Sequence, residues 1–203
     1  METTPDQIKA AHTILAEMNY EIRPVVRGYA NRTLYVDLTH QRIEARPVTQ
    51  KMKDVFTGGK GFGLWLLWNG IKDTTRWNDP ENELVLSCGV IGGITAYPGT
   101  GKTVAVTISP QTGIVIDSNG GGYFGPYLKF SGWDALEIQG KAERDVIIFI
   151  DGDEGRVTIE DAPLEAVDTH IINKQLTEMY GHDDRTKRRS EERRVGKECM
   201  PVC

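Results

Sequence analysis

The residues best placed to do chemistry lie in TAYPGTGKTVAV, positions 95–106. Ala96-x-x-x-x-Gly101-Lys102-Thr103 differs from a phosphate-binding P-loop only in its first glycine. Such a loop works because its glycine-rich backbone opens directly into a helix, whose first N–H groups cradle phosphate. Here Lys102-Thr103 is followed by VAVTISP, which is β-branched, alternating and stopped by Pro110. That pattern predicts a strand, so the helix dipole is missing and a nucleoside triphosphatase, which would need a helix after Thr103, is not expected. The loop still offers free backbone amides at Gly99, Thr100 and Gly101, and a cation at Lys102. Two further glycine clusters, GGKGFG (58–63) and SNGGGYFG (118–125), lie within about 70 residues of one another. They fit either a backbone moulded round a large polar anion or a β-rich fold with many tight turns. Composition alone does not separate these.

Other chemical patterns are weaker. Asp151-x-Asp153-x-Gly155 resembles the start of a calcium loop, but its glycine is one place early and Ala162 stands where the bidentate glutamate belongs. A hairpin turn is the expectation. Cys199-x-x-x-Cys203 offers two soft ligands at the C-terminal end of the sequence, and Cys88 sits in a strand pattern as a core thiol.

The elements that must position these loops follow from periodicity. Residues 5–18 carry Ile8, Ala11, Ile14, Leu15 and Met18 at helical spacing. Leu34, Val36 and Leu38 alternate with polar residues, and Arg42-Ile43-Glu44-Ala45 returns as a hairpin. A short helix fits 49–56, and LWLLWNGI after the first glycine cluster predicts a helix buried by its bulk. Strands are expected at 83–87, 103–108, 113–116, 135–138, 145–150 and 156–160, with an amphipathic helix over 164–179.

Bulk properties narrow the classes. The 203 residues suffice for one sizeable domain. No run approaches the roughly 18 apolar residues of a membrane span, and METTPDQIKAAH has no signal pattern, so a cytoplasmic protein is expected. Three cysteines do not make a disulfide framework. Net charge is −5, yet residues 185–198 hold seven basic and three acidic side chains. This basic tail lacks an aromatic residue to stack on a base, so nucleic-acid binding is not expected.

The ordered run SPQTGIVIDSNGGGYFGPYLKFSGWDALEIQGKAERDV (109–146) resembles the N-terminal domain of the aldehyde:ferredoxin oxidoreductases, tungsten (sometimes molybdenum) pterin enzymes. GGKGFGLWLL, DPENELVLSCGVIGG, PGTGK and FIDGDEGRVTIEDAP extend the likeness over residues 28–181. The resemblance implies an α+β pseudobarrel of short strands with flanking helices, on which a bis-pterin tungsten cofactor lies. It implies a magnesium ion bridging the two pterin phosphates, taking the backbone carbonyl of Asn119. It places Gly121, flanked by Gly120 and Gly122, against the pterin, and Gly101 and Lys102 at the cofactor. The family commonly has arginine where this chain has Lys102. Lysine keeps the charge and loses the planar fork.

The implied reaction is oxidation of an aldehyde to a carboxylic acid with water as oxygen source, electrons passing through a [4Fe-4S] cluster to ferredoxin. Some relatives reduce acids or aromatic acyl-CoA thioesters instead. A homodimer or an iron–sulfur partner subunit is compatible. The resemblance gives no catalytic acid or base here, and it fades after Gly181. Residues 1–27 then read as a helical extension, 28–181 as the family domain and 182–203 as a non-family tail. No Cys-x-x-Cys occurs, so the 203 residues alone are expected neither to hold the cluster nor to turn over. The competing reading is a non-catalytic β-rich binding or assembly module that uses the same loops without metal.

Overall fold

The computed structural model describes residues 13–94, 96–161, 169–180 and 200–202, with the single positions Gln7 and Ala10. In chain order the elements are β1 (Thr13–Asn19), β2 (Arg32–Asp37), β3 (Arg42–Pro47), α1 (Gln50–Val55), α2 (Lys60–Gly70), β4 (Glu83–Cys88) and β5 (Thr103–Ile108). Then follow β6 (Val115–Gly120), α3 (Phe124–Phe130), β7 (Ala135–Gln139), β8 (Val146–Asp151), β9 (Arg156–Asp161), α4 (Thr169–Tyr180) and β10 (Met200–Val202). The basic tail at 185–198, Cys199 and Cys203 lie outside the described residues.

The class is mixed α/β, mostly sheet with a few helices. The strands form two sheets, a six-stranded one in the order β3-β2-β7-β4-β5-β6 and a four-stranded one in the order β1-β9-β8-β10. Neighbours are antiparallel except β2 and β7, which run parallel. One face of the large sheet meets the small one: Leu34, Val36, Leu86, Leu136 and Ile138 share a core with Val146, Ile148, Ile150, Val157 and Ile159. The alternate residues of β8, Ile147 and Phe149, face the other way onto Leu176 of α4. Both faces of β8 are thus covered, which is why VIIFI reads as an unbroken apolar run.

The other face of the large sheet carries α2. Gly63, Leu67 and Gly70 recur at i, i+4 and i+7, so they lie on one helical face. A Cβ built on Gly63 would meet Val106 Cγ2 at 2.6 Å. Small residues therefore let α2 lie close to the strands. Within α2 only Phe62, Gly63 and Leu67 are buried, while Trp68 is 83% exposed. The expectation of a helix buried all round is corrected: the bulk of LWLLW is shared between a sheet-facing side and a solvent side.

The hairpin β2–β3, the helix at 50–55, the DGDEG turn and the strands at 83, 103, 135, 145 and 156 lie where the pattern placed them, within a residue or two. Thr49 caps α1, its side chain accepting from the Met52 amide. The helix expected over 5–18 is overturned across residues 13–18, which form β1 against β9. A bulge between Ile14 and Ala16 breaks the strand's two-residue alternation. The apolar positions then fall at three- and four-residue spacing and imitate a helix. The strand expected at 113–116 begins at Val115 and runs on through Asp117-Ser118-Asn119, because β5 supplies partners in register from Ile108 back to Thr103.

Candidate functional site

β4 ends at Cys88, β5 begins at Thr103 and β6 ends at Gly120, and the pairing Cys88↔Thr103↔Gly120 puts all three at one end of the large sheet. The three glycine clusters of the sequence converge there. The Gly59 amide donates to the Cys88 carbonyl at 3.2 Å, and Ser87 Oγ donates to the Gly59 carbonyl at 2.8 Å. These bonds tie the turn before α2 to the end of β4. The Gly93 amide donates to the Thr100 carbonyl at 3.2 Å, and Thr100 Oγ1 returns a bond to the Ile94 carbonyl at 3.0 Å. Together they fold the 89–102 loop back on itself.

Close approach explains Gly101 and Gly125. A Cβ on Gly101 would overlap the Gly122 carbonyl oxygen. One on Gly125 would lie 2.8 Å from Thr103 Oγ1 and 2.9 Å from the Lys102 carbonyl. The loops are therefore packed backbone to backbone on their underside. Their upper side is open, since nothing lies within 4 Å of a Cβ built on Gly89, Gly99, Gly120 or Gly122. Lys102 Nζ stands 4.0 Å from where a Gly121 Cβ would be, so the one cation of the loop reaches over the second cluster. Lys102, Asn119, Gly120, Gly121 and Gly122 are exposed and Gly101 half-buried. The six residues singled out from sequence are therefore brought together, Asn119 on β6 opposite Val104. The strand expected after Lys102-Thr103 is present as β5, so the helix that a triphosphatase would need there is absent.

Buried polar groups hold the cradle from beneath. Lys129 and Asp134, about 2% and 1% exposed, form an ion pair. Lys129 also donates to the Gly28 carbonyl at 2.9 Å. Asp134 accepts from the amides of Ala30 at 3.0 Å and Asn31 at 2.8 Å. A Cβ on Gly28 would overlap the Val90 carbonyl oxygen, so this pair fixes the 28–31 turn against the cradle's 89–93 segment. Cys88 is a buried free thiol beside the same pair. Burial, chiefly, pushes its pKa up to about 11, which leaves it protonated and inert.

Sequence reasoning missed Lys60 and Asp117, whose side chains meet at 2.6 Å between the first turn of α2 and β6. It also missed the exposed aromatic rim: Tyr97 is 65% exposed, and Tyr123, 70% exposed, stacks on Tyr127 at 5.5 Å. A groove of about 600 Å³ lies elsewhere, between α1, α2 and β6, lined by Val55, Trp65, Trp68, Ile71 and Val115. Its lining is mostly apolar, with Lys51 and Asn69 as its polar side chains. Among the described residues no three His, Cys, Asp or Glu side chains cluster to hold a metal. No described helix is long and apolar enough to cross a membrane.

Residues 33–190 match the family described as aldehyde ferredoxin oxidoreductase, N-terminal domain. The chain belongs to this family. It is 36% identical over 135 residues to the tungsten-containing aldehyde ferredoxin oxidoreductase of Pyrococcus abyssi, covering 66% of this chain and 22% of that protein. To the protein of the same description from Thermococcus kodakarensis it is 34% identical over 151 residues, 74% of this chain and 24% of the other. An aliphatic sulfonate oxidoreductase, WOR-like subunit, of Pyrococcus furiosus shares 34% identity over 138 residues, 66% of this chain and 21% of that one. Among solved structures, the active site complex BamBC of benzoyl coenzyme A reductase with 1,5-dienoyl-CoA superposes with a TM-score of 0.62 at 30% identity. That match covers 71% of this chain and 20% of that one. The chain thus spans about a fifth to a quarter of the length of the curated relatives it matches. The aldehyde ferredoxin oxidoreductases among these relatives are tungsten-containing, which supports a tungsten pterin cofactor at the level of the family.

Proposed function

We propose that this chain is the cofactor-binding N-terminal part of an oxidoreductase that oxidises aldehydes to carboxylic acids, with ferredoxin as electron acceptor. The observation that carries the reading is the convergence of the three glycine clusters at one sheet end, with Lys102 reaching over the second. The residues fit the group. An open bed of glycine backbone lets main-chain donors and acceptors approach a ring system rich in N–H and C=O groups. A flexible lysine offsets phosphate charge.

When bound, a bis-pterin tungsten or molybdenum centre supplies two-electron redox chemistry. This chain's residues then bind and orient. Lys102 pairs with a phosphate, Gly101 and Gly120–Gly122 face the pterin, and the Asn119 carbonyl takes a magnesium ion. The two sheets close as part of a pseudobarrel, bounded at residues 28 and 181. The [4Fe-4S] cluster and the substrate contacts come from outside this part of the enzyme, so these 203 residues do not turn over alone. A cytoplasmic enzyme, as a homodimer or with an iron–sulfur partner subunit, completes the reading.

The likeness to the benzoyl coenzyme A reductase complex supports a second reading, reduction of an acyl-CoA on the same scaffold. The test is metal and pterin content of the anaerobically purified full-length product, with dye reduction by aldehydes. Stoichiometric tungsten and aldehyde-dependent dye reduction are expected, with Lys102→Ala lowering tungsten occupancy severalfold and Lys102→Arg restoring it. A folded, metal-free, pterin-free product would instead establish the non-catalytic module.

A further inference from the structure

The face of the large sheet beneath the C-terminal end of α2 carries a polar seam that the cradle does not use. Glu83 on β4 lies opposite Gln139 on β7, and Glu137 lies opposite Val85, so both carboxyl groups point to the α2 side. Glu83 is 0% exposed and Glu137 2%. A Cβ on Gly70 would overlap Glu83 Oε2, so the last turn of α2 rests directly on this carboxyl. Glu137 has two donors, the Thr33 hydroxyl and Arg46 Nη1 at 3.2 Å. Glu83 has none: as a carboxylate, neither of its oxygens finds a partner.

A buried carboxylate without donors is costly, and the group takes a proton instead. As a carboxylic acid Glu83 can donate to its neighbour, and Glu137 is within hydrogen-bonding reach. Charge from other elements offsets this only in part: Arg46 opposes the shift, but less than burial and Glu137 promote it. Arg46 on β3 is committed to Glu137 and Glu44. Tyr35 on β2 donates to Gln139. Residues 61–70 of α2 contain no titratable side chain.

We propose that Glu83 and Glu137 share one proton in the folded protein, and that this proton fastens α2, and with it the Gly58–Lys60 wall of the cradle, to the sheet. The inference does not depend on which reaction the enzyme performs. Burial, and after it the charge of Glu137, raises the Glu83 pKa from 4.5 to about 8. Detaching α2 exposes Glu83 and returns it to its ordinary value. Below about pH 4.5 both states are protonated. Between there and about pH 8 only the docked state holds the proton, so docking weakens as pH rises, by up to about tenfold per pH unit, and levels off above.

The experiment has two readouts on the full chain. Infrared difference spectroscopy at neutral pH should show the carbonyl stretch of a buried protonated carboxyl, absent from Glu83→Gln. In Glu137→Gln the band should persist and disappear at lower pH than in the unaltered protein. Hydrogen exchange of the α2 peptide, corrected for intrinsic exchange, should lose protection with rising pH in the unaltered chain and stay level in Glu83→Gln, whose amide is neutral throughout. A missing band in the unaltered protein overturns the proposal, as does a band or a pH slope that survives Glu83→Gln. The first of these needs no variant to fold.

Discussion

Asp134→Ala is the substitution whose cost the structure specifies most closely. The carboxylate is fully buried. It is the ionic partner of Lys129 and the acceptor for the amides of Ala30 and Asn31. Removing it leaves a buried ammonium with only neutral neighbours, the Gly28 carbonyl and the Cys88 thiol. Breaking one half of a buried pair costs about 3–5 kcal/mol, and orphaned amides add to that. We expect about 4 kcal/mol, a fall in melting temperature of roughly 8–16 °C for a chain of this size. Lys129→Met should cost less, about 2 kcal/mol, because the remaining carboxylate keeps two amide donors. The double variant should cost less than the two single costs added together, because it strands no charge. The assay is urea or thermal unfolding of the four proteins under one set of conditions. An Asp134→Ala cost below about 1 kcal/mol, or strict additivity, would refute the claim that this pair is the internal pin of the 28–31 turn.

Other outcomes follow from the cradle. Gly101→Ala should displace the loop from the Gly122 carbonyl and lower the tungsten content of the full-length enzyme while leaving far-ultraviolet circular dichroism unchanged. Gly113→Ala, at φ +70° in an open turn, should cost about 1 kcal/mol by left-handed strain and leave metal content alone. Alkylation of Cys88 by iodoacetamide should run about a hundredfold slower in the folded protein than in the unfolded one near pH 8, since its thiol titrates near 11 rather than 9. The rate should rise about tenfold per pH unit until that value is reached. Rapid labelling at neutral pH would show the end of β4 to be open.

Much of this architecture was legible in the residues. Val104 and Val106 alternate after Lys102-Thr103, and that alternation argued against a P-loop. Gly101 and Gly125 marked the cradle because the close backbone contacts they make leave no room for a side chain. What escaped were pairings that no local pattern announces. Lys60 and Asp117 meet across 57 positions. Glu83 opens the expected strand ELVLS, and nothing in that run announces that the last turn of α2 covers it. The bulge in β1 disguised a strand as a helix. Each miss was decided by tertiary partners rather than by propensity.

The parallel pair β2–β7 has a consequence for how the chain is made. Thr33 must wait for Ala135, about a hundred residues later, and synthesis at about 5–20 residues per second makes that wait roughly 5–20 s. Throughout it β2, with Leu34, Tyr35 and Val36, has one edge paired to β3 and the other bare. A nascent chain in this condition can recruit the wrong strand, from itself or from a neighbour on the same message. Slow translation between residues 38 and 135 would lengthen that exposure, and an early-acting chaperone would shorten it. The yield of folded protein should therefore respond to codon choice in this interval more than to codon choice after residue 139.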